Sequence, residues 1–376
     1  MCKEALDAYT AVATESYGNP SSRHRMGQEA LAILREAEKE VLLALGTREG
    51  RVIFTSGGTE ANNLALFGRA FAKERYARGG KILSTKGEHA SVSAPLQSLL
   101  PKGFVCREIG TAGGVLNLEE LEREADKSVF LASFMAANNE TGALYDIAAA
   151  ADILRAVSPD CALHVDATQS FMKQPFTVKS LGADMITVSS HKVEGPKGVG
   201  ALWVSPAILK QKGLSAVLLG GGQQDGLRSG TENVSGIAGF AAALRVWREK
   251  GTERRERICA LRETLLRGLA QDALRDSVVP LLPPVALPNI LNIEVKGMRS
   301  ETVLNHLSGE GIYVSAGSAC SSHDAHVSPA LLAYGKSKDG ADSSVRISLS
   351  HRNTEEDIEA LLSALSDIVT KRQKKK

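Results

Sequence analysis

Lys192 stands just past an apolar run, Met185-Ile186-Thr187-Val188, in a turn punctuated by Gly195, Pro196 and Gly198. A lysine held by such stiff backbone and surrounded by protein can shed its proton and attack a carbonyl. Asp166 closes a second apolar run, Leu163-His164-Val165. Residues 55–63 read TSGGTEANN between a short strand pattern and an apolar helix. A strand, a glycine turn and a helix start aim unpaired backbone N–H groups at a phosphate. The turn lacks the Gly-Lys-Ser/Thr of a nucleotide loop and is not GxGxxG. His89 follows another strand pattern, where open α/β sheets carry ligands; a lone histidine there is more often structural, and only company promotes it. Cys320 lies in a small, polar stretch with His323 and His326 nearby, the setting of a reactive thiol.

These residues need elements to hold them. Apolar runs at 51–54, 81–84, 104–106, 129–134, 163–166, 185–188 and 200–204 predict strands, with helical patterns at 23–45, 60–73 and 147–156 between them. Strands alternating with helices predict an α/β fold, a mostly parallel sheet covered on both faces. Residues 218–233 form a glycine-rich loop, a lid or a subunit contact, with Thr231 expected to cap the next helix. From about Trp247 the chain turns into a charged helix and then a proline-rich connector at 278–284. Strand patterns follow at 290–295, 312–314 and 345–349, with helices at 302–307 and 354–370, a smaller α+β unit.

An acid, a lysine and a phosphate cradle at three strand ends are the minimum kit for pyridoxal 5'-phosphate. The lysine forms a Schiff base, the carboxylate keeps the pyridine nitrogen protonated, and the helix start holds the phosphate.

Eight blocks in order, YGNPSS, FTSGGTEANN, NNETG, HVDATQS, SSHKVEGPKGVG, LRSGTEN, GSACSS and SSVRISL, span nearly the whole chain. With them the chain resembles the cysteine desulfurases, class V aminotransferase-like enzymes of fold-type I, in the branch with a long mobile cysteine loop. The resemblance implies a seven-stranded, mostly parallel sheet in a large domain at 17–246. It places 1–16 and 247–376 in a small domain that carries the cysteine loop. It implies a homodimer and a pyridoxal-phosphate Schiff base on Lys192. Asp166 and Gln169 would contact the pyridine nitrogen and the ring hydroxyl, and Asn139 the ring hydroxyl side and the substrate. His89 would stack on the ring and exchange protons. Gly58, Thr59, Ser189 and His191 would hold the phosphate, with Thr231 reaching in from the partner subunit. Arg346 would clamp the substrate carboxylate as a bidentate fork. Cys320 would take sulfur from L-cysteine as a persulfide and leave L-alanine. An iron–sulfur scaffold or sulfur-carrier protein would be the acceptor, for cluster assembly or tRNA thiolation.

The sequence departs from the family pattern in two places. The strand and turn of the form YLDxxATTP that usually precede YGNPSS are absent, and Gln224-Asp225 stands where a Glu-Arg pair is common. Two rival readings stay open: a selenocysteine lyase or other C–S lyase, and a non-catalytic scaffold partner. At 376 residues the chain can bury a sizeable core, and a net charge of +2 gives no case for nucleic acid. No metal site and no membrane span are expected. Five scattered cysteines fit reduced thiols in a cytoplasmic protein.

Overall fold

The computed structural model describes residues 1–72, 80–316 and 327–373. They form two compact units. The first comprises residues 1–109, 117–136 and 146–251, and the second 110–116, 137–145 and 252 onward.

The first unit is built on a sheet that has seven strands among the described residues. They are β1 (Arg51–Thr55), β2 (Gly80–Thr85), β3 (Phe104–Ile109), β4 (Val129–Met135), β5 (Ala162–Asp166), β6 (Met185–Ser189) and β7 (Gly200–Val204). Their spatial order is β1-β7-β6-β5-β4-β2-β3. The pairs β6-β5, β5-β4, β4-β2 and β2-β3 are parallel, whereas β7 runs antiparallel to both neighbours. Every residue of β4, β5, β6 and β7 is buried, as strands covered on both faces require. Helix α1 spans Lys3–Glu15, α2 Arg25–Ala44, α3 Gly58–Ala70 and α4 Ala90–Leu99. Ala61, Leu64 and Ala65 of α3 pack with Ile82, Val92 and Leu202 in the main core. Helix α1, expected in the smaller domain, belongs to the first unit. Its Ala5, with Cys2, packs against Ala243 and Val246, and Cys2 N–H donates to Glu194 O at 2.8 Å.

The order places chemistry at one end of the sheet. β5 and β6 are adjacent parallel strands, so Asp166 pairs in register with Thr187. Two residues later β6 ends, and the chain turns straight back into the antiparallel β7. That turn carries Lys192. Gly200 opens β7 against the glycine turn after β1; a Cβ there would stand 2.5 Å from the Gly57 carbonyl carbon, so only glycine fits.

β1 is an edge strand, and side chains cover its outward backbone groups. Glu38 Oε1 accepts from Val52 N–H at 3.2 Å. The Gln224 amide accepts from Phe54 N–H at 2.7 Å and donates to Phe54 O at 2.8 Å. Asp225 pairs with Arg51 at 3.2 Å. The Gln224-Asp225 departure therefore has a structural use on the sheet edge.

After α5 (Leu118–Glu124), α6 (Ile147–Val157), α7 (Val178–Leu181) and α8 (Pro206–Lys210), one 36-residue helix, α9 (Val234–Leu269), replaces the two segments expected around Trp247. Its start is capped by Asn233, whose Oδ1 accepts from Gly236 N–H at 3.0 Å; Thr231, the expected cap, is exposed.

The second unit holds an antiparallel sheet in the order β10-β11-β9-β8. The strands are β8 (Val278–Leu281), β9 (Ile290–Val295), β10 (Ser315–Ala316) and β11 (Ser344–Ser348), with helices α10 (Ser300–Gly309), α11 (Pro329–Tyr334), α12 (Lys338–Asp342) and α13 (Glu355–Gln373). Leu265, Leu291, Ile293, Val303, Val345 and Leu365 are central to its core. The proline-rich connector is in part β8. Pro280 is tolerated there because β8 lies at the sheet edge. The expected strand at 312–314 falls instead at 315–316, paired with Arg346 and Val345. No helix among the described residues is long and apolar enough to cross a membrane.

Candidate active site

Asp166 is 6% exposed. Its Oδ1 accepts from Thr168 N–H at 2.9 Å and its Oδ2 from Asn62 Nδ2 at 2.8 Å. Asn62 Nδ2 also lies 2.8 Å from Ser91 Oγ, which is 2.8 Å from His89 Nδ1. His89 is the N-cap of α4, and its Nδ1 accepts from Ser91 N–H at 3.1 Å. With Nδ1 so engaged by Ser91, Nε2 is the ring nitrogen left to meet a further group. Burial holds the imidazole below its ordinary range, Asp166 opposes that shift, and Lys192 adds to it. A polar chain thus runs His89–Ser91–Asn62–Asp166. Asn62 and Ser91 were not singled out from the sequence; the proximity of α3 to α4 joins them.

Glu88 is a second acid beside this chain. Its Oε1 accepts from Thr85 Oγ1 and Met135 N–H, both at 2.8 Å, while Oε2 is buried without a partner. Burial, with a smaller contribution from Asp166, pushes its carboxyl up to about 8, against two opposing hydrogen bonds. Below Asp166 on β5, fully buried His164 lies between Ser133 Oγ at 2.8 Å and Thr187 Oγ1 at 3.0 Å. Burial lowers its imidazole to about 4, so the ring is neutral.

Lys192 sits in the 3-10 turn Ser190–Val193, which ends at Glu194 in the left-handed conformation (φ 62°). His191 Nδ1 is 2.9 Å from Ser189 Oγ, and burial followed by Lys192, Lys173 and Lys197 depresses its imidazole. Gly57 caps α3, and Gly58 and Thr59 form its first turn. A Cβ at Gly58 would stand 3.1 Å from Thr168 Oγ1 and 3.5 Å from Ser189 Cβ. Thr168 Oγ1 is buried without a partner. Backbone N–H groups at the start of a 13-residue helix, an orphaned hydroxyl, Ser189 and His191 converge as a dianion requires. The residues present therefore fit a phosphate-bearing pyridine cofactor, with Asp166 for its ring nitrogen and Lys192 for its aldehyde.

In the second unit, Arg346 donates from NH1 to Asn139 O at 2.9 Å and from NH2 to Ser315 Oγ at 3.3 Å; its Nε is buried without a partner. Arg346 and Asn139 are thus brought together. Glu140 is buried, which raises its carboxyl, and it accepts from Ser328 Oγ at 2.6 Å. Cys320, His323 and His326 lie outside the described residues. Among the described residues no cluster of His, Cys, Asp or Glu is placed to hold a metal ion.

Residues 1–361 match the aminotransferase class-V family, and the chain belongs to it. Its relatives there are the IscS and NifS cysteine desulfurases. It is 36% identical over 98% of its length, and 94% of the relative's, to "Cysteine desulfurase IscS 1" of Archaeoglobus fulgidus. It is 35% identical over 98% of its length, and 92% of the relative's, to "Cysteine desulfurase IscS" of Dictyoglomus turgidum. Among solved structures, a "NIFS-LIKE PROTEIN" superposes with a TM-score of 0.89 at 34% identity, covering 98% of this chain and 96% of that one. A NifS-like protein from Rickettsia africae superposes at 0.85 with 31% identity and the same coverage. The α/β fold with its large mixed sheet is that of fold-type I enzymes, and members of this family use pyridoxal phosphate.

Proposed function

We propose that this protein is a cysteine desulfurase that moves sulfur from L-cysteine to Cys320 and releases L-alanine. The observation that carries the reading is the buried Asp166 held by Asn62 and Thr168 N–H on the strand beside the one that leads to Lys192. When bound, pyridoxal phosphate supplies an electron sink that stabilises negative charge on the substrate's α-carbon.

The chain's own residues do the rest. Lys192 would anchor the cofactor aldehyde, and its amine is the base that would move the substrate's α-proton. Asp166 would hold the pyridine nitrogen protonated, and Gln169 and Asn139 would serve the ring hydroxyl. His89, its imidazole pKa lowered by burial, would lie against the ring and pass a proton at Nε2. Gly58, Thr59, Ser189 and His191 would hold the phosphate, with Thr231 of a second subunit completing the set in a cytoplasmic homodimer. Arg346 carries two NH groups that it can turn to the substrate carboxylate. The Cys320 thiolate attacks the substrate sulfur: a new S–S bond forms, the Cβ–S bond breaks, and its electrons remain with the carbon skeleton that becomes alanine. The persulfide then passes to an iron–sulfur scaffold or sulfur-carrier protein.

The test is alanine release from L-cysteine with added pyridoxal phosphate and a thiol reductant, for wild type beside Cys320→Ala. Alanine from wild type and almost none from the variant is expected. Equal turnover by both would make the protein a C–S lyase that needs no protein thiol.

A further inference from the structure

Asn62 and Ser91 join two groups to which the cofactor assignment gives separate tasks, Asp166 and His89. Hydrogen-bond chemistry gives that join a direction. A carboxylate can only accept, so the side-chain atom of Asn62 that lies 2.8 Å from Asp166 Oδ2 is its NH2. The second hydrogen of that NH2 goes to Ser91 Oγ, also at 2.8 Å. Ser91 Oγ thereby accepts from Asn62 and has its own proton left to give. His89 Nδ1 stands 2.8 Å away to take it. The Ser91 backbone N–H, which can only donate, meets the same nitrogen at 3.1 Å. Nδ1 thus accepts from two donors and has no place for a proton of its own. A neutral imidazole carries one N–H, and here it lies on Nε2.

The surroundings hold this order in place. Asn62 and Ser91 are both buried. Asn62 Oδ1 is buried without a partner. Turning the amide over would set that oxygen against the Asp166 carboxylate, so the orphaned atom marks an orientation that the acid imposes. Turning the Ser91 hydroxyl away from Nδ1 would leave a buried O–H unpaired. The backbone N–H is fixed in the first turn of α4, where His89 is the N-cap. His89 and Ser91 line one cavity with Thr59, a member of the phosphate cradle.

We propose that Asn62 and Ser91 are positioning residues that lock neutral His89 in the Nε2–H form, so that the ring meets cofactor and substrate as a donor and not as a base. In this form Nε2 is the donor nitrogen and the accepting lone pair is on Nδ1, already taken. The inference deepens the proposed function and rests on it for what His89 meets; the tautomer itself belongs to the chain without cofactor.

The experiment is nitrogen-15 NMR of the full, cofactor-free chain labelled at histidine. The His89 signals are identified by their loss in His89→Gln. Spectra are taken at pH 8, above the range of an imidazole that burial lowers. Protonated and bare ring nitrogens resonate far apart, so the two shifts read the tautomer directly. Wild type should show a protonated Nε2 and a bare Nδ1. Ser91→Ala removes the hydroxyl donor and leaves the backbone N–H, so the ratio of the Nε2–H to the Nδ1–H form should fall about fivefold. Asn62→Leu keeps the bulk and frees Ser91 Oγ to accept, and should lower the ratio about twofold. Ser91→Thr keeps the hydroxyl and should keep the wild-type shifts. Lost packing alone moves no proton between the two ring nitrogens. A proton on Nδ1 in wild type would overturn the proposal, and so would a ratio unchanged in Ser91→Ala or in Asn62→Leu. A protein with the expected spectra that makes no alanine would keep this inference and lose the desulfurase reading. Alanine release with the proton on Nδ1 would do the reverse.

Discussion

Replacing Glu88 with glutamine should stabilise the protein, increasingly so as the pH rises. Burial lifts the Glu88 carboxyl from its ordinary 4.5 to about 8, so the folded state keeps a proton that the unfolded chain releases above pH 4.5. Stability therefore falls as pH climbs from 4.5 to 8, and the penalty is fully present above 8. At about 1.4 kcal/mol per pH unit, the penalty is about 2 kcal/mol at pH 6 and at most about 5 kcal/mol at pH 9. Glutamine cannot ionise, and its Oε1 can accept from Thr85 Oγ1 and Met135 N–H as the carboxyl does. The two profiles should thus separate by about 3 kcal/mol between pH 6 and pH 9. Urea unfolding of cofactor-loaded wild type and Glu88→Gln across that range is the assay. With a slope of about 3 kcal/mol per molar urea, the difference between the two midpoints grows by about 1 M. Parallel profiles would refute the reasoning, since they would show Glu88 already ionised in the fold.

Two further outcomes follow from the second unit. Arg346→Lys removes the planar fork that donates to Asn139 O and Ser315 Oγ, so KM for L-cysteine should rise at least tenfold in steady-state kinetics, with visible cofactor absorbance unchanged. Ser328→Ala strips the buried Glu140 of its hydroxyl donor, which should cost about 1–3 kcal/mol in urea unfolding; Glu140→Gln should recover part of that loss.

Much of the candidate site was legible because polar residues at the ends of apolar runs stand out. Asp166 and Lys192 each follow such a run, and β5 and β6 place them on adjacent strands. The turn at Gly57-Gly58 was legible through its glycines. Asn62 and Ser91 were not, because each looks like an ordinary polar residue on its own helix; only the packing of α3 near α4 makes them one network. β8 was hidden by prolines, which an edge strand accepts and an inner strand would not. The placement of α1 was hidden because Cys2 and Ala5 are too small to signal which core they enter.

The covered rim of β1 bears on how the chain survives at high concentration. An open strand edge is a template on which another molecule can grow sheet, and crowding favours that growth. Here Val52 and Phe54 have their outward N–H groups occupied by Glu38 and Gln224, side chains that no incoming strand can displace without breaking local bonds. Gln224 does this from a loop some 170 residues after Phe54 in the chain. Until that loop is made, Glu38 can guard Val52 but the backbone groups of Phe54 lack their cover.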